Sequence, residues 1–281
     1  MFAFEILKVI FLGILEGVTE WLPVSSTGHM ILFDQFFSLD ATKEYVEMFL
    51  VVIQLGAISA VPVLFWERLF PFSKKKGEIE RRGIISLWGK VIVGAIPAGV
   101  LGVLLDDLLD RYLYSYIVVA ISLIVYGIGF IFIEKIKAES NFKVKSTEDL
   151  SFGDALKIGS FQALSLIPGT SRSGSTILGG MICGVSREAS AEFSFFMAIP
   201  IMLGASAFKI LKFILEGFTA SLGEIALLLI GIAVSFLVSL FVIRFLMDFV
   251  KRHNFKIFGY YRITLGAFVI IYFMFKKVYL T

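Results

Sequence analysis

Apolar residues gather into six long runs, at about 45–66, 84–105, 113–133, 190–213, 224–247 and 260–276. Each falls within the roughly 17 to 25 residues a helix needs to cross about 30 Å of hydrocarbon. Two further stretches, 6–33 and 152–182, are apolar at both ends and interrupted in the middle. Pro23 and SSTG break the first, and Pro168 and GTSRSG break the second. Both therefore predict a helix, a loop and a second helix. No ten-residue alternation of the barrel type is present, so the spanning elements are expected to be helices.

Charge sits between the runs. The segment 67–83 carries Arg68, Lys74, Lys75, Lys76, Arg81 and Arg82, and 134–151 carries Lys135, Lys137, Lys143 and Lys145. Both are expected on the cytoplasmic side, as is 248–259 with Lys251, Arg252 and Lys256. DDLLDRY at 106–112 is expected to form an external turn, and Lys209, Lys212, Lys276 and Lys277 fall outside against the rule. With six crossings placed this way, neither broken stretch can cross completely. Each becomes a re-entrant hairpin, and the two enter from opposite faces.

A shift of 146 residues lays SSTG at 25–28 over SRSG at 171–174 and Glu16 over Gln162, while LGA at 55–57 recurs at 203–205 with an extra shift of two residues. The chain thus reads as one integral membrane domain over 1–281, with inverted repeats at about 1–135 and 150–281. Interrupted segments at corresponding places in two halves point to a site near the membrane midplane.

Composition agrees with this all-α, polytopic reading: 58% of residues are hydrophobic and 17% charged, against roughly 45 to 50% apolar in soluble domains. The glutamates in the first apolar stretch argue against a cleaved signal core, so residues 1–33 are kept as structure. Nothing in the net charge of +3 suggests nucleic acid as a partner.

The broken stretches carry the chemistry. Glu16 and Glu20 lie four residues apart, on one helix face. At membrane depth such carboxylates require partners, a polar cavity or a shallow position. They suit a divalent cation, or a base with an orienting group. Ser25, Ser26, Thr27, Gly28 and His29 follow, combining hydroxyls, a helix start and an imidazole. At least one hydroxyl is expected to cap the helix. Ser171, Arg172, Ser173, Gly174 and Thr176 supply the opposite charge in a pattern suited to phosphate oxygens. A structural ion pair between Arg172 and a glutamate is compatible with that role. No Walker lysine follows, so this is not a nucleotide P-loop. Together these groups fit cleavage of a lipid pyrophosphate. An inverted-repeat transporter or flippase of an anionic lipid or solute is the alternative.

LEGVTEWLPVSSTGHMIL at 15–32 and PGTSRSGSTI at 168–177, with IQLGAI at 53–58 and FGYYRI at 258–263, resemble the undecaprenyl-pyrophosphate phosphatase family, the bacitracin resistance proteins of bacteria. The resemblance covers nearly the whole chain. It implies hydrolysis of undecaprenyl pyrophosphate to the monophosphate carrier lipid used in cell-wall polymer synthesis. It further implies a divalent cation, Mg²⁺ foremost with Ca²⁺ or Mn²⁺ as alternatives, and a plasma-membrane site open to the outer face. Carried onto these residues, Glu16 and Glu20 bind metal or assist acid and base steps, and Arg172 grips the pyrophosphate. Ser26, His29 and water compete as nucleophile, while Ser25, Thr27, Gly28, Ser171, Ser173, Gly174 and Thr176 surround the substrate. Membrane lipids are the other expected partners, and a homodimer is allowed.

Overall fold

The computed structural model describes residues 2–34, 37–73, 76–113, 115–137 and 142–279, with the side chains of 34, 106, 107, 110, 111 and 277–279 excepted. Lys74 and Lys75 of the basic segment lie outside the described residues, as do the side chains of Asp106, Asp107, Asp110, Arg111 and Lys277. The described chain is helical, with no strand and a single isolated bridge between Val144 and Val185.

The elements are α1 Phe2–Thr19, α2 Ser26–Asp34, α3 Lys43–Val52, α4 Gln54–Leu64, α5 Trp66–Leu69, α6 Glu78–Leu113 and α7 Tyr116–Ile136. After them come α8 Phe152–Ala163, a 3-10 turn Leu164–Leu166, α9 Arg172–Ile182, α10 Arg187–Leu215, α11 Leu222–Arg252 and α12 Lys256–Tyr279. Six stretches of the described helices are long and apolar enough to cross a membrane: Lys43–Leu64, Glu78–Leu105, Tyr116–Ile136, Arg187–Leu215, Leu222–Arg252 and Lys256–Lys276. They match the six apolar runs. The broken stretches become α1 with α2 and α8 with α9, each pair joined by a short loop.

Several boundaries differ from the sequence reading. The acidic segment 106–112 is the end of α6 rather than a turn. Leu104, Leu105, Leu108 and Leu109 keep a helical repeat there with no glycine or proline to stop it. The next helix opens after Ser115, whose hydroxyl caps α7 by accepting from Val118 N–H at 3.3 Å. Arg81 and Arg82 likewise belong to the start of α6, Arg68 to α5, Lys135 to α7, Lys251 and Arg252 to α11 and Lys256 to α12, not to loops.

Large apolar side chains face outward. Ile121, Val125, Ile128 and Phe132 form an exposed stripe on α7, and Leu229, Leu237, Phe241 and Phe245 form another on α11. In water such stripes would be unfavourable, whereas against lipid tails they cost nothing. The chain is a membrane protein.

Inside, contact between helices rests on small residues, because in lipid close van der Waals packing replaces the hydrophobic effect. Three pairings dominate: α1 on α11, α8 on α6, and α7 on α12. At the second, a Cβ on Gly159 would stand 2.1 Å from the Gly94 carbonyl oxygen. At the third, Gly127 and Gly259 face each other, each with the other's carbonyl oxygen 2.7 Å from where a Cβ would be.

Gly159→Val should therefore force α6 and α8 apart and cost about 1–3 kcal/mol, read as a lower thermal midpoint in detergent. Gly204→Ala is the control: it lies within α10 with nothing within 4 Å of the added methyl. That substitution should leave the midpoint unchanged or raise it.

Candidate active site

The two interrupting loops meet, and each starts its following helix in the same way. Ser25 has φ 74° and Ser171 has φ 70°. For a residue with a Cβ this left-handed conformation costs about 1–2 kcal/mol. The capping bond returns part of it: Ser25 Oγ accepts from Gly28 N–H at 3.3 Å, opening α2, and Ser171 Oγ accepts from Gly174 N–H at 3.1 Å, opening α9. Gly169, with φ 86°, approaches α7 so closely that a Cβ would meet the Val119 carbonyl oxygen at 2.5 Å. No other residue fits there.

What binds one loop to the other is Arg262 of α12. Its side chain is fully buried and its partners are backbone carbonyls. Nη1 donates to Pro23 O at 3.1 Å in the first loop. Nη2 donates to Gly169 O and Thr170 O, both at 2.9 Å, in the second, and Nε reaches Leu123 O at 3.4 Å. The planar fork of guanidinium donors is what allows one side chain to hold both loops. Ser173 adds a second tie, its hydroxyl donating to Glu20 O at 2.9 Å.

The loops bring opposite charges together. Arg172 Nε and Nη2 donate to Glu20 Oε1 at 3.3 and 3.2 Å, while Nη1 donates to Ser194 O at 2.7 Å and lies 3.2 Å from Ser194 Oγ. The guanidinium also stands 5.7 Å from the Trp21 ring, a contact that suits a desolvated cation. Ser194 of α10 in turn shares a hydrogen bond of 2.6 Å with Thr176. On its other oxygen, Glu20 Oε2 faces the Ser26 hydroxyl at 3.5 Å. Carboxylate, hydroxyl and guanidinium thus form one continuous cluster.

Glu16 lies one turn before Glu20 and is 1% exposed. Its Oε1 has no hydrogen-bond partner. A buried, unsatisfied carboxylate oxygen beside a second carboxylate is a site for a proton or a hard cation. Among the described residues no three His, Cys, Asp or Glu side chains gather as a metal cluster. Glu16 and Glu20 are the side chains that could hold such a cation. Gln162, the counterpart of Glu16 under the 146-residue shift, is also fully buried with both amide atoms unpartnered.

Of the remaining sequence-derived residues, Ser25 and Ser171 serve as caps, and Thr176 Oγ1 bonds Arg172 O at 2.9 Å as well as Ser194. Thr27 is half-buried in the first turn of α2, and Gly28 and Gly174 supply the capped N–H groups. His29 joins neither glutamate by a hydrogen bond: its ring nitrogens meet Ser25 O at 2.7 Å and the Tyr261 hydroxyl at 2.6 Å. The sequence reading passed over Arg262, Tyr261 and Ser194 as site residues. For Arg262 a signal existed, an arginine inside an apolar run; Ser194 had none. A cavity of about 630 Å³ lies elsewhere, among Lys145, Lys251, Arg252 and His253 at helix ends, and shares no residue with the cluster.

Arg262→Leu should strip the loop carbonyls of their donors at about 1–3 kcal/mol for each one orphaned. The expected result is a large drop in thermal midpoint, with Arg262→Lys recovering only part of it because one ammonium lacks the fork.

Residues 9–268 match the family model described as bacitracin resistance protein BacA. An undecaprenyl-diphosphatase of Enterococcus faecalis is 55% identical over 95% of this chain and 96% of its own length. One of Acetivibrio thermocellus is 53% identical over 96% and 98%, and one of Streptococcus gordonii is 49% identical over 99% of each chain. With the match running from α1 into α12 and spanning both loops, the chain belongs to the bacitracin resistance protein BacA family.

Proposed function

We propose that the chain hydrolyses undecaprenyl diphosphate to undecaprenyl phosphate and inorganic phosphate, regenerating the carrier lipid for cell-wall polymer synthesis and conferring bacitracin resistance. The observation that carries the reading is the Ser26–Glu20–Arg172 chain of contacts, a hydroxyl, a carboxylate and a guanidinium drawn from two separate loops. Relatives that match this chain over nearly its full length bear the name undecaprenyl-diphosphatase.

In the proposed reaction Arg172 and the hydroxyls of its loop bind the diphosphate, and Ser26 Oγ attacks the terminal phosphorus. The Ser26 proton passes to Glu20, and the bridging P–O bond breaks with its electron pair leaving on undecaprenyl phosphate. As Glu20 becomes neutral its hold on Arg172 weakens, which frees the guanidinium for the charge on phosphate. Water then attacks the phosphoserine, its proton taken by His29, which lies three residues from Ser26 and hence on the same face of α2. The P–Oγ bond breaks and Ser26 recovers its proton from Glu20. A divalent cation at Glu16, when bound, would offset the negative charge of the phosphate oxygens and leave Glu20 to carry the proton.

The two halves, about 1–135 and 150–281, form an inverted-topology repeat whose hairpins α1–α2 and α8–α9 are re-entrant. Helix length supports this for three of the four helices: α2, α8 and α9 have 9, 12 and 11 residues, while α1 has 18. At 1.5 Å per residue the three rise about 13–18 Å, near half of the hydrocarbon thickness. The shift that relates Ser25 to Ser171 also relates Gly13, which packs on α11, to Gly159, which packs on α6. The setting is the bacterial plasma membrane, with the basic segments inside and the substrate admitted from the outer face. Transport without chemistry is disfavoured by the paired hydroxyl and carboxylate, which binding alone does not require.

Purified protein in detergent should release inorganic phosphate from undecaprenyl diphosphate with Mg²⁺ and not with EDTA. Arg172→Ala should lower turnover by about 10²–10³-fold. Ser26→Ala should abolish turnover while substrate still binds. Undiminished release from either variant would remove that residue from the mechanism.

A further inference from the structure

His29 and Tyr261 are 232 residues apart in the chain and share the hydrogen bond of 2.6 Å between Nε2 and the phenol hydroxyl. Their rings are close to parallel, 10° between planes with centroids 5.7 Å apart. On the other side of the imidazole, Nδ1 is 2.7 Å from Ser25 O. A carbonyl can only accept, so Nδ1 carries the hydrogen. Neither ring nitrogen bonds a carboxylate that would favour a second proton, and in the neutral ring Nε2 then has only its lone pair. The Tyr261 hydroxyl is the donor to it.

We infer that Tyr261 serves the hydrolysis through His29, its hydroxyl standing between the imidazole and the attacking water. It holds the imidazole in the Nδ1–H form, with the Nε2 lone pair aimed at the place where an O–H donor binds. Its neighbour Arg262 points inward from the same turn of α12 to hold both loops. One turn of helix therefore sets both the loops and the ring. In the second step of the proposed reaction the Tyr261 hydroxyl keeps its bond to Nε2 and the attacking water donates to the Tyr261 oxygen. The water proton moves to that oxygen and the Tyr261 proton to Nε2 as the water oxygen bonds phosphorus and the P–Oγ bond breaks. The inference rests on the reading that His29 serves this reaction.

The chain has two histidines, His29 and His253, so ¹⁵N-histidine labelling of a His253→Gln variant isolates one imidazole for nuclear magnetic resonance. The expected spectrum is the Nδ1–H tautomer, with the Nε2 resonance moving when Tyr261→Phe removes the donor. The Nε2–H tautomer, or an Nε2 resonance indifferent to Tyr261→Phe, would overturn the assignment. In phosphate-release kinetics Tyr261→Phe should lower kcat about three- to tenfold, the worth of one hydrogen bond. KM should stay unchanged because Tyr261 does not touch substrate. Tyr261→Ala should fall at least as far. If the ring served only for packing, Phe would restore kcat in full, and the inference would fail. His29→Ala with unchanged kcat would remove the reading of His29 itself, an outcome told apart by a spectrum that still shows the Nδ1–H form.

Discussion

Backbone groups exposed by breaking a helix have no water to turn to at membrane depth, and each one left open costs several kcal/mol. This chain breaks two helices and brings both breaks to one place. The Arg262 guanidinium resolves the difficulty by donating to Pro23, Gly169 and Thr170 carbonyls at once. The arginine gains there what it needs as well, since a buried cation requires acceptors on all sides. Around that exchange the rest of the site is arranged. Arg262 is held in turn by the pairing of α12 with α7, where Gly127 and Gly259 allow the backbones to touch.

The frame repeats and the chemistry does not. The loops share their serine caps and left-handed φ values. Yet Glu16 and Glu20 correspond to Gln162 and Leu166, and Ser26 corresponds to Arg172. One loop thus supplies carboxylates and hydroxyl, the other the guanidinium, and the ion pair joining Glu20 to Arg172 spans the junction. A site of this kind requires both loops, because Glu20 comes from one and Arg172 from the other. The same ion pair lets each partner offset the other's charge at low dielectric.

Much of this was legible in the letters. Spanning helices announce themselves by length and apolarity alone, and proline with clustered glycine and serine marked both interruptions. The complementary charge of Glu20 and Arg172 suggested that the interruptions meet. Helix ends were less legible: α6 runs on through 106–112, where a leucine repeat continues among the acidic residues. Sequence proximity gave no guide to the bonding of His29. Its partner lies on α12, and no local pattern encodes a contact across 232 residues. Ser194 was invisible for the same reason, a small residue in a helix rich in them whose role depends on which loop packs beside it.

The central claim is that two loops form one catalytic unit through Glu20 and Arg172, and a double-mutant cycle tests it most directly. Phosphate release would be measured as kcat/KM for the wild type, Glu20→Gln, Arg172→Gln and the double variant. Groups acting as a unit should be strongly non-additive, the double variant no worse than the poorer single one, with a coupling of about 1.5 kcal/mol or more. Losses that simply add would mean that the carboxylate and the guanidinium act apart, and would contradict the account.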